Sequence, residues 1–325
     1  MRLKTCHIQK IINLFIVFFA LPFLVKAQQT PQFSQFIQNP FVINPAITGV
    51  EEYSEITVSH RNQWSGFEGA PKTSSLTINT PISNLKESSL LHREASKKQG
   101  LGLFLYTDQS GPISLNLFSA SYAYHLKVSS KWFVSLGTFV GASQFKFDNS
   151  DVVLVQNQND LLTQNISSIN FDMSVGIYAY SKDVFAGISA NQILNSEIDD
   201  SSEVDRSARF VTNYNLLIGS RINIKEKYQL VPFMLAKATS NAPVQFEIGA
   251  KAVYDSKFWG GFSYRNEDAV VGFLGFKVLK GFTFNYSYDA STTAFNNQQN
   301  GSHEIILGYR FSLQKKSCAC PLYSL

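Results

Sequence analysis

Short segments in which apolar and polar residues alternate are the feature of this chain that most constrains its fold. Residues 244–254 are the clearest case: Val, Phe, Ile, Ala, Ala and Tyr occupy the even positions, and Gln, Glu, Gly and Lys occupy all but one of the odd positions. In residues 282–289, Phe, Phe, Tyr and Tyr alternate with Thr, Asn, Ser and Asp. A period of two is the signature of a β-strand whose two faces meet unlike surroundings.

Twelve further segments of this kind bring the total to fourteen. They lie at residues 55–63, 73–82, 101–107, 114–126, 132–147, 170–180, 184–192, 209–224, 228–237, 258–265, 269–277 and 303–311. An even number of antiparallel strands returns the chain to the side on which it started.

The connections between the segments differ in length. The sequences KVSS, SKD, KEK, DSK and LKG are tight, and each contains Lys. The alternate connections are mostly longer, at residues 148–169, 192–208, 238–243 and 290–302; residues 265–268 and 83–100 are the exceptions. Short turns on one side and long polar loops on the other are typical of an outer-membrane barrel.

A closed sheet is the form in which such a chain can cross a membrane, because hydrocarbon offers no partners to the backbone groups of a sheet edge. We therefore predict an all-β fold, a transmembrane antiparallel β-barrel of about 14 strands preceded by an irregular N-terminal segment. A soluble all-β sandwich is the alternative.

Residues 1–27 have the layout of a cleavable export signal. Basic residues at positions 2, 4 and 10 precede the apolar run 11–25, and Val-Lys-Ala stands before Gln28. The run is shorter than the roughly 20 residues of a spanning helix. We expect the mature protein to begin at Gln28 and to be integral to the cell outer membrane.

The charge balance argues against nucleic-acid binding. The signal holds four of the 28 Lys and Arg residues and none of the 24 Asp and Glu residues, which leaves 28 − 4 = 24 basic against 24 acidic residues. The histidines of the mature chain, His60, His92, His125 and His303, form neither a His-x-x-x-His pair nor part of a Gly-x-Ser-x-Gly elbow. We predict no catalysis, no cofactor and no metal site.

The stretch QNPFVINPAITGV, residues 38–50, contains the pairs Asn39-Pro40 and Asn44-Pro45. Proline fixes its own φ, pushes the preceding residue away from helix and cannot donate to a sheet. We therefore expect residues 28–52 outside the barrel wall, plugging the lumen or lying across its periplasmic mouth, with residues 53–311 forming the barrel. A generic N-terminal strap is the alternative.

The N-terminal sequence resembles the PorP/SprF family of the type IX secretion system. GLGLFLYTDQSGP at residues 100–112 and HEIILGYRF at residues 303–311 extend the resemblance to the third and last strands. The N-terminal pieces that carry it are PQFSQ at 31–35, the two Asn-Pro pairs, Ala46, Gly49, RNQW at 61–64, Gly66-Phe67, GAP at 69–71 and Thr80-Pro81.

The resemblance implies a non-enzymatic outer-membrane barrel that works with type IX secretion components and a secreted client protein. In gliding bacteria, family members of this kind serve the export or surface attachment of an adhesin. The alternative is a passive outer-membrane channel or hydrophobic-solute transporter. Bulky residues expected to face the lumen, Phe104, Tyr106 and Trp259, would obstruct a wide pore and favour the first interpretation.

The stretch RNQWSGFEGAPKT, residues 61–73, combines Arg61, Trp64 and Phe67 with Gly and Pro turn formers. We interpret it as a rigid bent loop that displays aromatic side chains to a partner; the alternative is that the Gly and Pro residues only make a turn. The predicted partner-binding residues are Asn39, Pro40, Asn44, Pro45, Arg61, Trp64, Phe67, Cys318 and Cys320.

Two further elements have no place in the wall. Cys318 and Cys320 lie in a tail at residues 312–325, which we expect in the periplasm; a bond between them would close a strained ring, so a bond to another protein or to a metal is the hypothesis and a functionless tail the alternative. Residues Asn84 to Lys98 have helical spacing and are predicted as a periplasmic docking helix, with a solvated linker as the alternative.

Overall fold

A computed structural model of the chain describes residues 31–82, 98–148, 165–195, 210–240, 242–293 and 299–312. The predicted export signal, the predicted helix at 84–98 apart from Lys98, and the cysteine tail beyond Ser312 lie outside these residues. In the described part of the chain, no helix has the length and apolar character to cross a membrane.

The described chain consists of two short 3-10 turns followed by fifteen strands. The turns are Pro40–Val42 and Pro45–Ile47. The strands are β1 Ser54–Asn62, β2 Lys72–Ile82, β3 Lys98–Ser110, β4 Ile113–Lys127, β5 Phe133–Phe147, β6 Ile166–Tyr180, β7 Val184–Asn191, β8 Asn213–Ser220, β9 Ile222–Lys225, β10 Tyr228–Thr239, β11 Gln245–Tyr254, β12 Phe258–Arg265, β13 Ala269–Leu279, β14 Phe282–Ser291 and β15 Ser302–Phe311.

The strands close into an antiparallel barrel with fourteen strand positions around its wall, which we call staves. Each strand pairs with its neighbours in the chain, and β1 pairs with β15 from Ser54 opposite Phe311 to Asn62 opposite His303. Strands β8 and β9 lie end to end against β10, so the two together are one stave. The predicted fourteen-strand barrel is confirmed, since the first and last strands pair and close the sheet.

The stave predicted at residues 209–224 is interrupted at Arg221. Its backbone N–H donates to the Asp183 carbonyl oxygen at 2.6 Å, in the turn between β6 and β7. The Arg221 side chain is buried, with its guanidinium carbon 4.8 Å from the centre of the Phe185 ring. The alternation pattern alone does not reveal this break, because the residues on both sides continue the period of two.

Strands β3 and β4 are longer than the alternation predicts. The ladder continues through Asp108 opposite Leu115 to Ser110 opposite Ile113, which leaves only Gly111 and Pro112 in the turn. Gly111 adopts a φ of 54°, which glycine tolerates without a Cβ clash. The polar end of this hairpin therefore extends the sheet where the sequence suggests a loop.

The two faces of the wall differ in polarity as predicted. Outward side chains are apolar and exposed, for example Val58 at 49%, Phe262 at 67% and Leu307 at 54%. On the same strands, the alternate residues Ser59, Ser263 and Ile306 are buried in the interior. An apolar outer face around a mixed interior is the arrangement of a membrane barrel.

The two ends of the barrel carry different connections. We call the end with the turns 128–132, 181–183, 226–227, 255–257 and 280–281 the short-turn rim. The opposite end, with residues 63–71, 192–195, 240–244 and 299–301, is the long-loop rim. Strand β1 starts at the short-turn rim and β15 ends there.

Candidate functional site: a plugged lumen

Residues 31–53 cross the interior of the barrel from one rim to the other, and we call them the plug. At the long-loop rim, Gln32 bonds the ends of two strands: its Oε1 accepts from Lys237 Nζ at 3.1 Å, and its Nε2 donates to Gln245 Oε1 at 3.3 Å. At the short-turn rim, Lys98 Nζ donates to the Val50 carbonyl oxygen. The plug then continues directly into β1.

The two Asn-Pro pairs set the local shape of the plug. Each proline occupies the first position of a 3-10 turn, where its missing N–H has no partner to lose. Thr48 closes the second turn by donating from Oγ1 to the Pro45 carbonyl oxygen at 2.6 Å. The prolines therefore give the plug a fixed bent form that cannot join the wall as a strand.

The two asparagines make unequal contacts. Asn44 is buried; its Nδ2 donates to the carbonyl oxygens of Ile177 at 3.1 Å and Ile188 at 3.2 Å, and its Oδ1 accepts from the Ala46 N–H at 2.9 Å. Asn39 is half-buried and donates once, to Thr77 Oγ1 at 3.1 Å. Asn44 thus fastens the plug to β6 and β7, whereas Asn39 makes a weaker contact with β2.

Arg61, predicted as a partner-binding residue, lies in a buried charged cluster that holds the start of the plug. Its guanidinium is 2.9 Å from Asp289 Oδ2 and 3.7 Å from Glu304 Oε2. Ser34 of the plug donates its N–H to Glu304 at 2.7 Å and its hydroxyl to Asp289 at 2.6 Å. The plug therefore donates a hydrogen bond to each of the two carboxylates.

A second arginine extends this charged cluster around the wall. Arg265 is fully buried, and its guanidinium lies 2.7 Å from Glu247, 2.9 Å from Asp268 and 3.4 Å from Asp289. Ser263 donates to the other oxygen of the Glu247 carboxylate. Pairing of this kind is what allows charges to be buried, since an isolated buried charge is very costly.

Aromatic rings pack the plug against the wall. Phe41 lies 5.1 Å from Phe139 and 6.4 Å from Phe104, measured between ring centres. On the opposite side, Phe36 meets Phe233 edge to face at 5.4 Å. Phe104, expected to face the lumen, does so and is 4% exposed. The apolar residues of the plug therefore form a core with the interior face of the barrel.

Glycines in the wall admit the plug backbone. A Cβ built on Gly137 would lie 2.5 Å from the Ala46 Cα, and one on Gly100 would overlap the backbone of Thr48 and Gly49. No side chain fits at such separations, so β3 and β5 touch the plug backbone directly. The plug is thus fitted to this wall over its whole length.

His125 binds the plug near the short-turn rim. Its Nε2 lies 2.8 Å from the Thr48 carbonyl oxygen, and its Nδ1 lies 3.0 Å from the Tyr180 hydroxyl. Because a carbonyl only accepts, Nε2 carries a proton and donates to the Thr48 carbonyl oxygen. The imidazole therefore bridges the plug and the Tyr180 hydroxyl of the wall.

The last turn of the plug buries an acidic residue. Glu51 is 8% exposed, and neither carboxylate oxygen has a hydrogen-bond partner among the described residues. Burial raises the pKa of Glu51 to about 7, although Arg221, Lys98 and Arg310 act in the opposite direction. A group that titrates near neutrality thus lies where the plug meets the short-turn rim.

The loop at residues 63–71 is bound to its neighbours at the long-loop rim. The Trp64 N–H donates to Ser302 Oγ at 3.1 Å, and Ser65 exchanges backbone bonds with Asn300 and Gly301 at 2.8 Å each. The Trp64 side chain is half-buried, and Phe67 is 45% exposed. The loop is bonded to residues 300–302, and it exposes Phe67 more than Trp64.

A lumenal pocket that is partly open to solvent lies between the plug and the long-loop rim. Its apolar wall contains Phe33, Val42, Ile43, Phe104, Tyr106 and Phe139. Its polar wall contains Asp172, Asn191, Gln192, Asn213, Asn215 and Lys237. Within the described residues, no group of three or more His, Cys, Asp or Glu side chains is arranged to hold a metal ion.

The structure separates the predicted site residues into three groups. Asn39, Pro40, Asn44, Pro45 and Arg61 meet inside the barrel, in contacts between plug and wall. Trp64 and Phe67 lie at the long-loop rim, and Cys318 and Cys320 lie outside the described residues.

Sequence reasoning missed three residues that hold the plug, Ser34, Asp289 and Glu304, and it also missed the buried Glu51 at the end of the plug. Asp289 stands on the polar face of an alternating segment, which signals an interior position. Its pairing with Arg61 depends on closure of the barrel and has no signal in the sequence.

Comparisons with known proteins bear on this architecture. The profile of a family described as "Type IX secretion system membrane protein PorP/SprF" matches residues 25–309. No curated protein matches the chain.

Three solved structures are similar to the barrel. The CymD monoaromatic hydrocarbon channel shares 11% identity at a TM-score of 0.48, over 85% of this chain and 93% of that chain. A FadL homologue of Pseudomonas aeruginosa shares 9% at 0.47, over 83% and 93%. The translocator domain of the autotransporter NalP from Neisseria meningitidis shares 9% at 0.41, over 85% and 93%. At such identities the likeness concerns the fold alone.

Proposed function

Since the chain belongs to the PorP/SprF family of type IX secretion system membrane proteins, we propose that it is a non-enzymatic outer-membrane barrel that supports export or surface attachment of a secreted protein. Its partners would be other secretion components and the secreted client. The barrel would act as a platform for docking and not as the conduit for the client.

The observation that carries the proposal is the plug. Residues 31–53 cross the lumen and are bound by the charged cluster at one end and by Lys98 at the other. A folded or extended client would have to displace this segment and its buried aromatic contacts to pass through. A docking role leaves all of these contacts intact.

The exposed parts of the two rims supply the docking surfaces in this proposal. Tight turns in outer-membrane barrels face the periplasm and longer loops face the exterior. With that orientation, the plug begins at the outer rim and ends at the periplasmic rim. Phe67, held on a fastened loop, is our candidate contact for the client, and Cys318 and Cys320 are candidates for contacts with periplasmic components.

One observation favours a second candidate function. The lumenal pocket has an apolar wall, which suits a channel or transporter for small hydrophobic solutes. Such a role requires a continuous path past the plug. Single-channel recording of the purified barrel separates the two functions: we expect no steady open conductance, and a steady conductance would favour the channel.

Deletion of the gene, with complementation, tests the secretion role. We expect the deletion to remove a large secreted protein from the medium or the cell surface, wild-type protein to restore it, and the client to copurify with the barrel. Phe67→Ser should weaken copurification without changing the heat-dependent mobility of the barrel. As a control, Phe262→Ser changes an outward-facing residue of the wall. Normal secretion in the deletion strain would refute the proposal.

A further inference from the structure

The lumenal pocket combines aromatic rings with a buried carboxylate that has no partner. Asp172 on β6 is 6% exposed and lines the pocket, and among the described residues none forms an ion pair or hydrogen bond with its carboxylate. Buried carboxylates are ordinarily paired, as those of the charged cluster are. An unpaired carboxylate at the wall of a cavity points to a ligand that supplies the positive charge.

The wall leaves the Asp172 carboxylate open to the cavity. Its partner in the sheet is Gly141 on β5, which has no side chain to cover it. On its other side, the pairing of β6 with β7 ends at Val175 opposite Ala190, so no strand residue of β7 lies beside Asp172. The ladder positions on either side of Asp172 therefore place no side chain of β5 or β7 against its carboxylate.

The rest of the pocket suits an organic cation. The rings of Phe33 and Phe104 lie 6.3 Å apart, those of Phe104 and Tyr106 5.5 Å apart, and those of Phe104 and Phe139 5.8 Å apart. A cation over an aromatic face within about 6 Å is attracted by the ring quadrupole. A carboxylate beside several rings therefore recognises an ammonium group carried on an apolar body.

Lys237, the cation on the opposite wall of the pocket, does not neutralise the Asp172 carboxylate. Lys237 lies on β10, and its ammonium donates to Gln32 Oε1 of the plug at 3.1 Å. It makes no ion pair with Asp172, which is separated from it by β7 and β8 around the wall.

We propose that the lumenal pocket is a binding site for an ammonium group on an aromatic or aliphatic body, with Asp172 as its counter-ion and Phe104, Tyr106 and Phe139 as its apolar wall. The site goes beyond the docking role and does not depend on it. A free amine and a lysine side chain of a polypeptide carry the same chemistry. The plug forms the floor through Val42 and Ile43, so the ligand enters from the long-loop rim.

Calorimetric titration of the purified full barrel tests the proposal with matched probes. The first pair is 2-phenylethylammonium and the neutral 2-phenylethanol; the second is a blocked Gly-Phe-Lys-Gly peptide and its Nε-acetyl form. We expect the charged member of at least one pair to bind at least about tenfold more tightly than its neutral counterpart. A difference in the first pair identifies a free amine as the ligand, and a difference in the second pair identifies a lysine side chain of a polypeptide.

Asp172→Asn removes the charge and keeps the shape, and it should abolish the preference for the charged probe. Asp255→Asn is the matched control, because Asp255 lies in a turn at the short-turn rim and pairs there with Lys257 at 2.6 Å. Equal binding of charged and neutral probes to the wild-type barrel, or no binding of either, would overturn the proposal even if Asp172→Asn failed to fold. An unchanged preference in folded Asp172→Asn would also overturn it.

Discussion

The Arg61 guanidinium lies 2.9 Å from the Asp289 carboxylate, although 228 positions separate the two residues in the chain. Ser34 of the plug bonds both partners: its hydroxyl donates to Asp289 and accepts from Arg61 at 2.5 Å. The first strand, a late strand and the plug thus meet at one buried point. The seating of the plug is therefore coupled to the closure of the barrel.

Replacement of Arg61 should destabilise the closed barrel strongly. Arg61→Met leaves Glu304 and part of the Asp289 charge buried without a counter-ion, and breaking a buried pair in this way typically costs about 3–5 kcal/mol. The temperature at which the unboiled protein acquires the mobility of the boiled form should fall. Lys257→Met is the control, because the Lys257 pair is exposed and its loss should leave that temperature unchanged. Equal temperatures for Arg61→Met and wild type would contradict the prediction.

A side chain at Gly137 should displace the plug without opening the wall. The added Cβ of Gly137→Val would lie 2.5 Å from the Ala46 Cα, so the second 3-10 turn has to move. We expect conductance in single-channel recordings and faster protease cleavage within residues 31–53. Gly272→Val is the matched control, since no atom lies within 4 Å of a Cβ at that position. A folded Gly137→Val barrel that is cleaved faster within residues 31–53 but stays silent would show that something other than the plug closes the lumen, and unchanged cleavage with no conductance would contradict the prediction.

The two asparagines of the plug should respond differently to the same change. Asn44→Asp removes the donor to the Ile177 and Ile188 carbonyl oxygens and places a charge beside them, which we expect to cost at least about 1–3 kcal/mol of unfolding free energy. Asn39→Asp should cost less than about 1 kcal/mol, because the Thr77 hydroxyl can reverse its role and donate. Thermal unfolding in detergent gives both values. A larger effect at Asn39 than at Asn44 would contradict the contacts described above.

The plug should be held more firmly at acidic than at mildly alkaline pH. The pKa of Glu51 is raised from 4.5 to about 7, so between these values the folded state binds more protons than the unfolded state. Stability therefore falls as pH rises through this window and stays low above it. Protease protection of residues 31–53 should be greater at pH 5 than at pH 8. Glu51→Gln should remove most of this difference; a difference retained in full would assign it to another group.

Much of the barrel could be predicted because one side of its wall meets lipid. That requirement forces apolar residues at every second position, so the segment at 244–254 predicts β11 (Gln245–Tyr254) almost to the residue. The interruption at Arg221 and the extension of β3 to Ser110 could not be predicted. Both depend on hydrogen bonds to other parts of the chain, which leave the local alternation unchanged.

The sequence by itself determined the class of fold, the number of staves and the irregular form of residues 38–50, since periodicity and proline geometry act within a few neighbouring residues. Only the tertiary structure decided that residues 31–53 cross the lumen, that Arg61 meets Asp289 and Glu304, and that Asp172 lines a pocket without a partner among the described residues. These relationships arise when closure of the sheet brings distant strands around a common interior. Their contacts follow from the shape and charge of the enclosed space, which no local pattern records.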